Sequence, residues 1–281
     1  MIGVAVVLAL AAAALHGTWN VLVKVSGDPL AILGRAAIAS AVVATIAVVP
    51  AWFLLGRPQL DAEATALCLV SSTLETAYIW LLSTAYRRGE ISAVYPIARG
   101  SAPLIAVAVG LLALREHLAP LQLFGVGLLL AGILAVTISQ SRGRATIAAL
   151  LTGVAIAAYT SVDRVGVRLT TPWLYGWLLF TLMAIELVAS IWVARRLGLL
   201  PRVASPSWSR AALIGTFMWL GYFLVLWALS IAPLAVVAPV RETSLVAVAL
   251  WGVWRLRERD RAAVKLSGAF ATLAGVTLLA V

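Results

Sequence analysis

Apolar residues run along almost the whole chain in stretches of about 20, separated by short breaks that carry charge, proline or glycine. A stretch of that length is what an α-helix needs to cross a hydrocarbon core of about 30 Å. The stretches fall near residues 2–24, 30–55, 64–86, 91–114, 119–139, 145–168, 172–194, 208–231, 234–254 and 262–281. The longest break, Arg195 to Ser207, holds Pro201 and Pro206 and is still short; the others read as tight turns. The pattern predicts an all-α polytopic membrane protein with ten transmembrane helices. Ile2 to Leu15 resembles the apolar core of a signal peptide, but no basic segment precedes it. Its apolar pattern continues through Trp19 and Val23 to the break at Lys24–Asp28, so it reads as the first span.

Composition sharpens this picture. Of 281 residues, 63% are hydrophobic and 11% charged, against roughly half and a quarter in a soluble domain, which excludes a water-soluble enzyme. The formal charge of +10 does not point to nucleic acid, because most of the cations sit at span ends, where anionic lipid attracts them. One cysteine, Cys68, excludes an internal disulfide, and with only His16 and His117 beside it a metal site is not expected. No cofactor is expected either.

The chain also repeats itself, with residues 1–140 resembling 141–281. Arg99, Arg115 and Glu116 correspond to Arg241, Arg257 and Glu258 at an offset of 142. Gly125 and Gly132 correspond to Gly268 and Gly275, Pro96 to Pro239, and the polar residues His16, Trp19 and Asn20 to Tyr159, Val162 and Asp163, all at 143. Five spans per unit is an odd number, so the second unit enters the membrane from the opposite side. Two five-helix repeats inverted in this way can exchange conformations and open a central site to each side in turn.

Orientation follows from the cations. Lys and Arg concentrate in the connectors after the odd-numbered spans, from Lys24 through Arg195 and Arg196 to the basic run Arg255–Lys265; the other connectors hold only Arg57, Arg115, Arg164 and Arg168. Cations mark the cytoplasmic side, which places both termini outside. The basic run itself reads as an anchor to lipid.

Ionisable residues within spans cost roughly 2.5 to 3.5 kcal/mol each on insertion scales and so mark function. Arg99 lies about eight residues, or about 12 Å, into span four, and Arg241 lies equally deep in span nine from the opposite face. A pair of guanidinium forks near the bilayer centre suits a carboxylate or phosphonate. Glu75, Glu186 and Glu242 supply counter-charges at similar depth, so pairing of the arginines with Glu75 and Glu242 as ties between helices stands beside ligand contact. On an unbroken helix Arg241 and Glu242 point about 100° apart, so only one of them is expected to line a cavity. Pro96 and Pro103 in span four, with Pro233 and Pro239 in span nine, interrupt matching helices, as in many carriers' binding sites, or else are ordinary kinks of the kind membrane helices tolerate.

His16 and Asn20 share one face of span one with Trp19 beside them, and Tyr159 and Asp163 form a similar face on span six. A titratable His16, Glu75 or Asp163 is a candidate to carry a coupling proton; hydrogen bonding between helices is the alternative. Tyr78, Trp80, Tyr95, Trp219 and Tyr222 lie deep enough to stack on a substrate, or else to pack. The glycine pairs suit close approach of spans five and ten. Glu116 and Glu258 are expected to cap the helices that follow them.

These residues resemble the drug/metabolite transporter superfamily, in its ten-helix branch built from two EamA-type repeats. The resemblance rests on His16-Gly17-Thr18-Trp19-Asn20 with Lys24, on Tyr95-Pro96-Ile97-Ala98-Arg99-Gly100, and on the Glu116/Gly125/Gly132 and Glu258/Gly268/Gly275 sets. It implies a multi-pass carrier of the cell inner (plasma) membrane, often an exporter of amino acids or other small metabolites, with a central cavity between halves. It also implies cytoplasmic termini, opposite to the cation count.

The reading that results is a secondary transporter of a small polar metabolite, such as an amino acid or organic anion, working by alternating access. Export is favoured by the resemblance alone. Substrate contacts are expected from Arg99, Arg241, Glu75, Glu242, Tyr95, Tyr78, Trp219 and Tyr222, and coupling or helix contacts from His16, Asn20, Trp19, Tyr159 and Asp163. The expected partners are a small-molecule substrate and the lipid bilayer, with proton coupling as an option; monomer and homodimer both fit. An intramembrane enzyme acting on lipid-linked substrates would need clustered acidic metal ligands or a Ser/His or Cys/His pair, and none is evident. A non-transporting membrane subunit would account for the compact chain but not for two matched arginines.

Overall fold

A computed structural model of the chain describes residues 1–24, 26–88, 91–140, 147–200, 206–244, 246 and 261–280, with side chains 24, 86–88, 91–97, 139, 140 and 280 left aside. All regular structure among them is helical. The helices are α1 (Ile2–Lys24), α2 (Pro29–Leu54), α3 (Ala62–Arg88), α4 (Ile91–Ala108), α5 (Pro120–Gln140), α6 (Ile147–Gly166), α7 (Pro172–Arg196), α8 (Trp208–Ile231), α9 (Leu234–Arg241) and α10 (Ala262–Ala280), with a π-helical segment, Val109–Ala113, extending α4. Eight of them, all but α4 and α9, are long and apolar enough to cross a membrane.

Local chemistry sets the ends. The Asp28 carboxylate accepts the Ala31 amide at 2.7 Å and Pro29 fills the first helical position of α2, where a missing N–H costs nothing. Pro172 and Pro120 start α7 and α5 in the same way. Gly56 and Gly198 take positive φ (81° and 71°) just past α2 and α7, the left-handed turn that releases a chain from a helix.

Span nine departs from expectation. Its α-helix stops at Arg241, where the Glu242 and Thr243 amides turn back to the Pro239 and Val240 carbonyls at 3.1 and 3.2 Å. Most of the rest of that span lies outside the described residues. So do Glu258 and Arg255 to Arg259 of the basic run. Lys265, expected in that lipid anchor, is buried on α10, and Arg164, expected in a connector, is buried at the end of α6.

The bundle is apolar outside and charged within. Ile46, Trp192 and Phe270 lie on its surface, whereas Glu75, Arg99, Asp163, Arg241 and Glu242 are buried. Such a surface needs lipid as its solvent. The main helix contacts join α5 to α10, α3 to α6, α1 to α8, α2 to both α8 and α7, α4 to α6 and α3 to α7, followed by α4 to α9 and α1 to α9. This set is unchanged when helices one to five are exchanged with six to ten. The α5–α10 contact is backbone against backbone: a Cβ at Gly132 would lie 2.4 Å from the Gly268 carbonyl oxygen, and one at Gly275 would lie 2.6 Å from that of Gly125. The spacing expected for close approach is met.

Candidate functional site

Around α4 and α9, where the two contact each other, two buried arginines share one carboxylate. Arg99 of α4 donates through Nη1 to Glu242 Oε1 and Oε2 at 3.2 and 3.1 Å. Arg241 at the end of α9 reaches Oε1 through Nη2 and Nε, both at 3.1 Å. Its Nη1 donates to Thr160 Oγ1 of α6 at 3.2 Å. All three charged residues are at most 3% exposed. Arg241 and Glu242 therefore both face the interior, against the expectation that only one would. That expectation assumed an unbroken helix, and here the helix ends between them, leaving two long side chains to fold back together.

Arg99 also contacts Nε2 of His16 on α1, while the indole N–H of Trp19 points at His16 Nδ1 from 3.2 Å. A neutral imidazole has one acceptor nitrogen, so His16 accepts from either Arg99 or Trp19 but not from both. A protonated imidazole would present only donors, and its contact with Arg99 would have to break.

An aromatic and acidic layer adjoins the arginines. The Arg241 guanidinium lies 5.9 Å from the centroid of the Tyr159 ring. Tyr159 in turn packs edge-on between Tyr78 of α3 and Tyr222 of α8, at 5.8 and 5.9 Å between ring centroids. The Tyr222 and Tyr175 hydroxyls both donate to the Asp163 carboxylate, Tyr175 at 2.9 Å. Glu75 is buried on α3 within electrostatic reach of Asp163 and Arg241, and it has no ion-pair partner among the described residues. The centre thus gathers two guanidiniums and three carboxyl groups. The two arginines and Glu242 are mutually paired and Asp163 is hydrogen-bonded, as buried charges require.

Several expected residues lie elsewhere. Trp219 stacks on Phe223 with ring centroids 5.8 Å apart. Asn20 donates to the His16 carbonyl within α1 at 2.8 Å. Glu186 on α7 accepts from Ser72, Thr76 and Thr73 of α3 at 2.7, 3.2 and 3.3 Å, and Trp80 donates to Ser190 at 3.0 Å, so both serve the α3–α7 seam. The Tyr95 side chain lies outside the described residues. Thr160 and Tyr175 were not anticipated: Thr160 shares a face of α6 with Asp163, a spacing legible in the sequence, but nothing local marks Tyr175, which reaches Asp163 from the next helix.

Glu116 also differs from expectation. Instead of capping α5, which follows it, its carboxylate accepts the Leu234 and Ala235 amides at the start of α9, at 2.7 and 3.0 Å. Arg164 of α6 donates to the same carboxylate at 2.9 Å and to the Leu229 carbonyl at 2.6 Å. Pro233 precedes α9 and provides no side-chain cap, so Glu116 supplies the cap from across the bundle.

Residues 3–138 match the EamA-like transporter family. No curated protein matches the sequence. Among solved structures, one crystal structure aligns over 98% of this chain and 95% of its own, with a TM-score of 0.71 and 14% identity; that likeness shows the fold.

Proposed function

We propose, from the match of residues 3–138 to the EamA-like transporter family, that this multi-pass membrane protein is a secondary carrier of a small polar metabolite bearing a carboxylate, such as an amino acid or organic anion. The observation that carries the reading is the Arg99–Glu242–Arg241 triad, in which helices from the two halves of the chain place their guanidiniums on one carboxylate. A substrate carboxylate presents the same two oxygens as Glu242. It binds by taking over one of the two forks while Glu242 keeps the other, so that both arginines and Glu242 stay paired throughout. The exchange symmetry of the helix contacts supports two inverted five-helix repeats, 1–140 and 141–281, that rock about this centre.

The His16 geometry supports proton coupling. A proton on the imidazole turns an acceptor of Arg99 into a donor, separates the pair and frees one guanidinium for substrate; Glu75 and Asp163 are further proton acceptors in the same layer. An inner-membrane location and the export direction belong to the same proposal and rest on the sequence resemblance alone. The test is counterflow in proteoliposomes against a panel of amino acids, organic acids and phosphonates. Saturable exchange of a carboxylate-bearing solute supports the reading. Ligand-induced thermal stabilisation without any flux would favour a non-transporting subunit.

A further inference from the structure

We propose that the Glu116–Arg164 pair, seated on the N-terminus of α9, is a latch that holds one face of the carrier closed, and that its release is the step that moves Arg241. This rests on the alternating-access reading and names the device that controls it. Strict alternation of the helices puts the α4–α5, α6–α7 and α8–α9 turns on one face. On that face Glu116, from the first half of the chain, holds three parts of the second: the Arg164 side chain and the Leu234 and Ala235 amides directly, and the Leu229 carbonyl through Arg164.

The backbone is shaped to aim this carboxylate. The π-helical end of α4 closes with Leu114 donating to Val109 O and Glu116 to Gly110 O, both at 2.9 Å, and Arg115 takes a positive φ of 51°. A Cβ at Gly110 would come within 2.6 Å of Glu116 Oε2 and 3.1 Å of the Ala235 amide nitrogen, so the absence of a side chain there is what lets α4 and α9 share the carboxylate.

The chemistry suits a joint that opens better than one that is permanent. Both side chains are at most 9% exposed, and a buried ion pair adds little net stability over apolar residues of the same volume. What it offers is reversibility, because both charges and both amides are fully satisfied by water once the face parts. The load falls on α9. Its eight residues are all buried, and they span about 12 Å from the latch at Leu234 to Arg241. Displacing the first turn of so short a helix displaces its last.

The test uses pairs of spin labels on otherwise intact protein in lipid vesicles. One pair, at exposed Ala119 and Leu169, spans the latched face; the other, at Ser26 and exposed Leu199, spans the opposite face. Cys68 is fully buried and stays unlabelled. Glu116→Gln keeps the size of the side chain and one acceptor for the α9 amides but removes the ion pair, and Arg164→Gln removes it from the other side. Each variant is expected to raise the population with a long 119–169 distance by roughly ten-fold and to shorten the 26–199 distance, because opening one face closes the other. Unchanged distances in both variants, or lengthening of both pairs, would mean a structural staple and overturn the proposal. Wild-type counterflow is measured alongside: flux with no reciprocal shift sinks the latch alone, whereas absence of flux sinks the carrier reading beneath it.

Discussion

Arg99 and Arg241 do not face one another across an empty centre: each donates to the carboxylate of Glu242, at 3.1 Å. Glu242 is 1% exposed, and its removal strands two guanidiniums without their shared counter-charge. Breaking a buried pair in this way costs about 3 to 5 kcal/mol. Glu242→Gln should therefore lower the thermal unfolding temperature measured by intrinsic fluorescence in detergent, and by more than Glu186→Gln, whose partners are neutral hydroxyls. Equal effects from the two would argue that Glu242 does not bear the charge of both arginines.

The proposed proton coupling through His16 rests on its opposed contacts with Arg99 and Trp19. Flux should depend on an imposed pH gradient between pH 5 and 8, and His16→Gln should weaken that dependence at least several-fold. A wild-type flux indifferent to pH across this range removes the coupling.

The α5–α10 seam offers a packing test with an internal control. Gly132→Leu drives a side chain into the Gly268 backbone and should destabilise the protein by about 1 to 3 kcal/mol or more. Gly127 lies on the same helix with nothing within 4 Å of a Cβ, so Gly127→Ala should change stability by no more than about 0.5 kcal/mol. Comparable losses from both substitutions would contradict the observed face of α5.

Removing Lys265 and Arg164 from the connector cations, since both are buried, takes one from each side and leaves the imbalance intact. On this count the face bearing Arg195 and Arg196 is the one expected in the cytoplasm. An impermeant thiol reagent should reach Arg196→Cys only from the cytoplasmic side of oriented vesicles. Labelling from outside would reverse the orientation, to the one that the sequence resemblance implies.

Much of this architecture was legible in sequence because lipid imposes one rule: every span must satisfy its own backbone, so spans read as apolar runs. The burial of Arg99, Arg241, Asp163 and Glu75 was legible for the same reason, as was the meeting of the glycine pairs. What stayed hidden depends on contacts between distant segments. No local pattern says that Glu116 reaches α9, more than a hundred residues on, or that Tyr175 serves Asp163. Nor does periodicity reveal that a helix ending at Arg241 brings Arg241 and Glu242 together, since the period itself assumes the helix continues. Trp219 shows the converse limit: its place along the span is legible, but not that its ring stacks on Phe223.

The most direct measurement is saturable counterflow of a carboxylate-bearing solute by purified wild type, Arg99→Ala and Arg241→Ala in the same proteoliposomes, each first shown to be folded by its unfolding temperature. Each single substitution is expected to reduce flux by at least a hundred-fold, in line with loss of about 3 kcal/mol of charge-assisted binding. Folded variants that both transport at the wild-type rate would contradict a site built on these two guanidiniums.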